Sequence, residues 1–387
     1  MKGRIAVLLD GSIGTDARVQ RTTDTLSSIF DHVDLFYFSK LEQEGLNFSD
    51  NVTLKNLYGL NYKKSWFTVN FRINKLYPEF EEELSSDLKY DAIWCNDYVT
   101  LSYGIALKKR NPNIKLIYDS HEIYIETFNQ FFPSKGWTGL FWKLILILYL
   151  KPVHTFNEKK YLKIVDFFIT VNNSLSDYFD TNYGRKAIVV RNVPTKRKLY
   201  TSNILKVSCN LNLEDKIVLY QGNMNDGRGL EELLQSLKYL PKNYHLVLIG
   251  DGPLKMELIS CSKKKDYKER IHFLNEVAYE ELHNYTLSAD VGVLILKPVN
   301  VSKRLASANK IFEYMAAGIP VVATDLPENR RVIVESQCGV LIDDPKPKTI
   351  ADGILSVEEK HGLNGFNRFL DTYNWEKELV IIKEILK

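Results

Sequence analysis

Lys310 and Glu313 lie close together in "SANKIFEYMAAGIPVVATDLPE", residues 307–328. A carboxylate can accept two hydrogen bonds from a vicinal diol such as a ribose, and a lysine near a helix start can reach a phosphate. Ser307 is placed to cap such a helix and Gly318 to end it. Ile311, Phe312 and Met315 share an apolar side, while Asn309 and Glu313 stand one turn apart on the other. Glu313 could be a solvated surface residue. Against that, the segment runs directly into apolar "PVVAT", which predicts a carboxylate at a strand end.

Other loops carry matching chemistry. "IVLYQ" is followed by "GNMNDGRGLEELLQSL", where Gly222, Gly227 and Gly229 allow a tight backbone and Arg228 offers a planar fork for phosphate oxygens. The helix start near Gly229, like that near Asn309, presents unpaired N–H groups suited to an anion. "HLVLI" is followed by "GDGPLKMEL", a second Gly-rich turn beginning at Gly250. In the first half, "DGSIGTDARVQR" is a Gly-containing loop leading into a helix near Asp16, and "DSHEIYIE" puts His121 and Glu122 just past a strand.

These loops need a scaffold of parallel strands, because ligands bind outside the carboxyl ends of such strands. Short apolar runs alternate with helical patterns through most of the chain. Strands are predicted at 4–9, 33–38, 91–95, 115–118, 166–171 and 187–190, and again at 217–221, 245–249, 271–274, 291–296, 320–324 and 339–342. The polar, Pro-containing "RNVPTKRKLYTSN" between the two sets reads as a linker. The expected fold is α/β: two doubly wound domains facing a cleft.

Length and composition agree. The 387 residues suit two domains, and 45% hydrophobic with 26% charged residues is a globular balance. A net charge of +3, without a basic stripe interleaved with aromatics, argues against a nucleic-acid partner. Cys95, Cys209, Cys261 and Cys338 form no CxxC pair, and few cysteines fit a reducing compartment. The opening "KGRIAVLLDGS" reads as a strand rather than a signal peptide, so a cytoplasmic protein is expected. Residues 137–150, "WTGLFWKLILILYL", are too short to span a bilayer, which takes about 20 residues. Two readings stay open: a buried helix of the first domain, or a helix docked on the inner face of a membrane by its Trp and Phe residues.

The sequence resembles the retaining nucleotide-sugar glycosyltransferases of the GT-B fold, family 4. The resemblance is carried by "NKIFEYMAAGIPVVATDLPENRRVI" with "CGVLIDD", and supported by "LYQGNMNDGRGLEELLQSL", "LVLIGDGPL", "ADVGVLIL", "DARVQRTTDTL", "LIYDSHE" and "YNWEKE". It implies an acceptor-side domain over 1–195, a nucleotide-sugar-binding domain over 196–365, and a C-terminal helix over 366–387 that crosses back to the first domain. It implies that Glu313 binds the ribose, that Arg228 contacts the diphosphate, and that His121 lies near the transferred sugar. Val277 would meet the base through backbone groups. Gly14, Asn223, Gly250, Asn309 and Lys310 complete the implied donor site, and Asp16, Arg18 and Glu122 the acceptor side.

Two positions depart from the family pattern. The first glutamate of the Glu-x7-Glu motif falls at Leu305, and a basic residue that often precedes Arg228 falls at Asn223. The implied function is transfer of a sugar, with retention and without a metal or other cofactor, from a nucleotide-sugar donor to a glycan or lipid-linked acceptor. A UDP-sugar is favoured over a GDP-sugar. A sugar-nucleotide epimerase and a nucleotide-sugar-binding protein without transfer activity are the alternatives.

Overall fold

Apolar runs such as "KLIYDS" and "KIVLYQ" are buried along nearly their whole length, as strands covered on both faces must be. The computed structural model describes residues 3–39, 46–57, 90–128, 136–297, 300–306 and 309–387. The chain divides into two units, Met1–Val190 with Leu379–Lys387, and Arg191–Glu378. The sequence placed this boundary slightly later, at 195/196. The terminal helix Trp375–Leu386 belongs to unit 1 only from Leu379 onward. Its beginning is tied to unit 2, where Trp375 N donates to Pro194 O and Arg191 N donates to Glu378 Oε2.

Unit 1 is built on a seven-stranded sheet. Its strands are β1 (Arg4–Leu8), β2 (His32–Tyr37), β3 (Val52–Asn56), β4 (Ala92–Asn96), β5 (Lys115–Ser120), β6 (Phe167–Thr170) and β7 (Ile188–Val189). The order is β3-β2-β1-β4-β5-β6-β7, and every pairing is parallel. Edge strand β3 was not predicted. It is short and at most half-buried, so it lacks the continuous apolar run of its neighbours.

Unit 2 has six strands: β8 (Lys216–Gln221), β9 (Tyr244–Ile249), β10 (Ile271–Leu274), β11 (Val291–Leu294), β12 (Val321–Thr324) and β13 (Gly339–Ile342). Their order is β10-β9-β8-β11-β12-β13, again all parallel. On one face Val218, Tyr220, Leu246 and Leu248 pack with Leu233 and Ile354. On the other, the Tyr314 hydroxyl reaches Leu219 O and Val293 O. Gly292 leaves room for that ring, because a Cβ there would stand 2.4 Å from it. In each unit the strand order reverses once, between β1 and β4 and between β8 and β11, and ligand crevices form at such switch points.

Residues 136–162 form one continuous helical run through Gly136–Ile145, a π-turn at Leu146–Leu150 and Lys151–Leu162. Lys151 N donates to Leu146 O, and Pro152 has no N–H to continue the α-helical ladder. The run is not a buried core helix: Leu146 and Leu150 are buried, but Trp137, Phe141 and Leu148 are 90%, 59% and 74% exposed.

Candidate functional site

In unit 2, β8 ends at buried Gln221. Its Nε2 donates to Glu313 Oε2 at 2.5 Å, and its Oε1 accepts from Thr286 Oγ1 at 2.9 Å. The carboxylate forces the amide nitrogen toward Glu313, so the amide oxygen must face Thr286 and the hydroxyl must donate. The relay fixes Glu313 through one of its oxygens. Glu313, with Pro194, Arg197, Tyr279, His283 and Thr286, lines a small open pocket. Arg197 lies over the Tyr279 ring, 5.3 Å from its centroid. Burial lowers the His283 pKa, and its Nε2–H donates to Lys198 O.

Lys310 opens the helix Lys310–Ala316. Its Nζ stands 4.1 Å from the centroid of the Tyr220 ring and makes no hydrogen bond among the described residues. The ring face attracts the cation. Burial, together with nearby Arg228, pulls the Lys310 pKa well below the ordinary lysine value, and Glu313 acts in the opposite direction. Gly222 makes room for this side chain: φ is +108°, and a Cβ would lie 2.7 Å from Lys310 Cε. Gly250, with φ +140°, permits the next close approach, since its Cβ would fall 2.3 Å from Gly222 O. Met224 N donates to Asp251 O, so the turns after β8 and β9 are joined backbone to backbone.

Arg228 is half-buried on the loop after β8 and makes no hydrogen bond or ion pair among the described residues. Lys303, which the sequence did not single out, reaches the same loop by donating to Asp226 O. The nearby helix start is less available to an anion than its sequence suggested. Glu231 and Glu232 occupy the first turn of Leu230–Ser236, so its dipole is already answered by carboxylates. The 310–316 helix has Asn309 at its cap position without a side-chain capping bond, and Ser307 lies outside the described residues. Asn223 is exposed, and Val277 is half-buried on the loop after β10. Leu305 ends a separate short helix, Val301–Leu305, where it offers no carboxylate.

Unit 1 has its own polar cluster at its switch point. His121 N donates to Asp97 Oδ1, its Nδ1 is 3.4 Å from Asp97 Oδ2, and its Nε2 is 3.5 Å from Asp119 Oδ2. Burial disfavours the charged imidazole, but Asp97 and Asp119 outweigh it and raise the pKa to about 9. His121 is therefore an imidazolium at neutral pH. Asp97 takes a left-handed backbone, φ +60°, rare outside glycine and a form of strain that collects at functional sites.

Arg18 is not on the accessible acceptor side where the sequence placed it. It is 2% exposed, gripping Asp119 with two nitrogens and donating a third bond to Val190 O. Asp16 caps the helix Ala17–Ser27 by accepting from Arg18 N and Val19 N. Gly14 and Glu122 are exposed nearby in the chain. The structure thus brings Glu313, Lys310, Arg228, Gly222 and Gly250 together in unit 2, and His121 with Asp97 and Asp119 in unit 1. Gln221, Asp97 and Asp119 were missed; their one sequence signal is a polar residue closing or following an apolar strand.

Residues 202–365 match the family described as glycosyl transferases group 1. An uncharacterized glycosyltransferase of Methanocaldococcus jannaschii is 24% identical, with 77% of this chain and 76% of that protein aligned. The structure superposes on sucrose-phosphate synthase of Thermosynechococcus elongatus with TM-score 0.78 at 17% identity, covering 99% and 98% of the two chains. It also superposes on Anabaena HepE, solved in complex with UDP and glucose, with TM-score 0.71 at 16% identity and 99% of each chain covered. The paired parallel sheets are those of GT-B glycosyltransferases.

Proposed function

We propose that this chain, whose residues 202–365 match glycosyl transferases group 1, moves a sugar from a nucleoside-diphosphate donor to a glycan or lipid-linked acceptor with retention of configuration. One observation carries the reading: two cations without hydrogen-bond partners among the described residues, Arg228 and Lys310, stand with a half-committed carboxylate, Glu313, at the switch point of unit 2. Glu313 takes the ribose hydroxyls with its remaining oxygen. The adjoining pocket with Tyr279 and Arg197 takes the base. A UDP-sugar is the favoured donor, in line with the UDP bound by HepE.

Breaking the anomeric carbon–oxygen bond sends negative charge onto the diphosphate and oxocarbenium character onto the sugar. Arg228 and Lys310 neutralise the leaving oxygen, and charge placed in advance in this way is the main source of rate enhancement in many enzymes. The acceptor hydroxyl attacks from the leaving-group face, and the departing phosphate takes its proton. His121, held cationic, polarises a sugar hydroxyl. In this reading Arg228 and Lys310 supply the positive charge that a divalent metal would otherwise bring to the diphosphate. Turnover is expected to persist in EDTA, and loss of activity restored by magnesium or manganese would overturn this account. The free cysteines fit a cytoplasmic setting.

Glu313→Gln tests the donor assignment. A hydrogen bond to a charged group is worth roughly 1.5–3 kcal/mol, so UDP-sugar affinity should fall about tenfold or more with the fold intact. An unchanged Kd by calorimetry would reject the ribose role.

Lys310 adds a pH dependence. Its pKa is depressed in the free protein, and a bound diphosphate raises it again. Binding therefore takes up a proton between the two values, and affinity falls as pH rises through that window. Calorimetry in buffers of unequal ionisation enthalpy counts the protons, and zero uptake across the range would show that Lys310 does not meet the phosphates.

A further inference from the structure

Trp137, Leu140, Phe141, Leu144, Leu148 and Phe156 are exposed on the helical run 136–162. The first five recur at three- and four-residue steps and form one outward stripe. The opposite side is fixed in unit 1. Leu146 and Leu150 pack with Ile125 and Phe128, Tyr98 Oη meets His154 Nδ1 at 3.2 Å, and Tyr118 Oη donates to Glu158 Oε1 at 2.7 Å. A contiguous apolar surface of this kind marks an interaction site.

We propose that this stripe docks the chain on an anionic lipid surface. Residues 139–162 are long and apolar enough to cross a membrane. Crossing would require lipid around the whole helix, whereas one side here is bonded into a protein core. The run therefore lies in the interface plane, where Trp, Tyr and Phe are favoured. Its charge identifies the surface. Lys143, Lys159, Lys160 and Lys163 are exposed, and the only acidic residue in 136–163, Glu158, is buried. Lysines beside an apolar face are attracted to anionic headgroups. A second copy fits poorly, since a symmetric pairing would set this lysine-edged stripe against itself with no exposed carboxylate to answer it.

The test is co-sedimentation of the full chain with vesicles of phosphatidylcholine alone or mixed with phosphatidylglycerol. It uses neither donor nor acceptor, so it is independent of the transferase reading. The wild type should bind mixed vesicles more tightly than neutral ones, and added salt should weaken the difference. Phe141→Ser with Leu148→Ser should weaken partitioning about tenfold or more, with an unchanged thermal midpoint. Lys143→Glu with Lys160→Glu should abolish the preference for anionic vesicles. If the serine pair unfolds, Trp137→Ser carries the same comparison at a residue that is 90% exposed. Wild type that binds neither vesicle, or serine variants that bind as well as wild type, would overturn the proposal. So would concentration-dependent self-association lost in the serine pair without vesicle binding, which would assign the stripe to a second copy.

Discussion

Arg228→Ala and Lys310→Met are each expected to lower kcat by about a hundred- to a thousandfold, matching the ~2.7–4 kcal/mol typical of one lost charge-stabilising donor. In the proposed reaction both cations bear on the oxygen that gains charge as the donor bond breaks, so the loss should fall on turnover more than on ground-state binding. Stability separates this role from a structural one. Lys310 is half-buried, lacks a hydrogen bond among the described residues and has a depressed pKa, so its charge does not support the fold. Lys310→Met should leave the thermal midpoint unchanged or raise it. Steady-state kinetics on donor consumption make the check, and a kcat within about threefold of wild type for both variants would remove them from the chemistry.

Arg18→Met is expected to destabilise unit 1 by about 3–5 kcal/mol, because breaking a buried pair leaves the Asp119 carboxylate with only the longer contact to His121. Asp119 would lose its two-nitrogen grip and Val190 O its donor. Despite burial, Arg18 and His121 hold the Asp119 pKa well below the usual carboxylate range. A depressed carboxylate stabilises above its unfolded pKa, about 3.9, and that contribution is lost as pH falls through the folded value. In the wild type the contribution is thus fully present at neutral pH. In Arg18→Met the Asp119 pKa rises, and most of it disappears at pH 7. Urea unfolding of the full chain measures the difference, and the double variant Arg18→Met, Asp119→Leu should recover much of it. A loss below about 1 kcal/mol for the single variant would mean that the pair is not structural.

The sequence by itself determined most of the framework. All six strands of unit 2 and six of the seven in unit 1 were visible as apolar runs, because a parallel sheet with both faces covered needs side chains that are apolar on both sides. β3 escaped because its five residues, VTLKN, include three polar ones and none is buried, so no apolar run marks it. The short helix bearing Lys310 and Glu313 was visible through its apolar side and terminal Gly318, and the Arg228 loop through its glycines, since a tight strand-to-helix turn uses residues free to take positive φ.

Tertiary structure alone decided which polar groups remain available. Arg18 reads as an accessible cation in "DARVQR", yet its partner Asp119 is 101 residues away. Gln221, Glu313 and Thr286 form one relay across separations of 92 and 65 residues. The exposure of Trp137 and Leu148 was equally undecidable, since an apolar helix has the same periodicity under a sheet or under lipid. Local periodicity reports how each segment divides between apolar and polar sides. Pairing and burial depend on what the fold brings opposite that segment; the carboxylates of Asp97 and Asp119 raise the His121 pKa against its burial, whereas burial lowers that of Lys310.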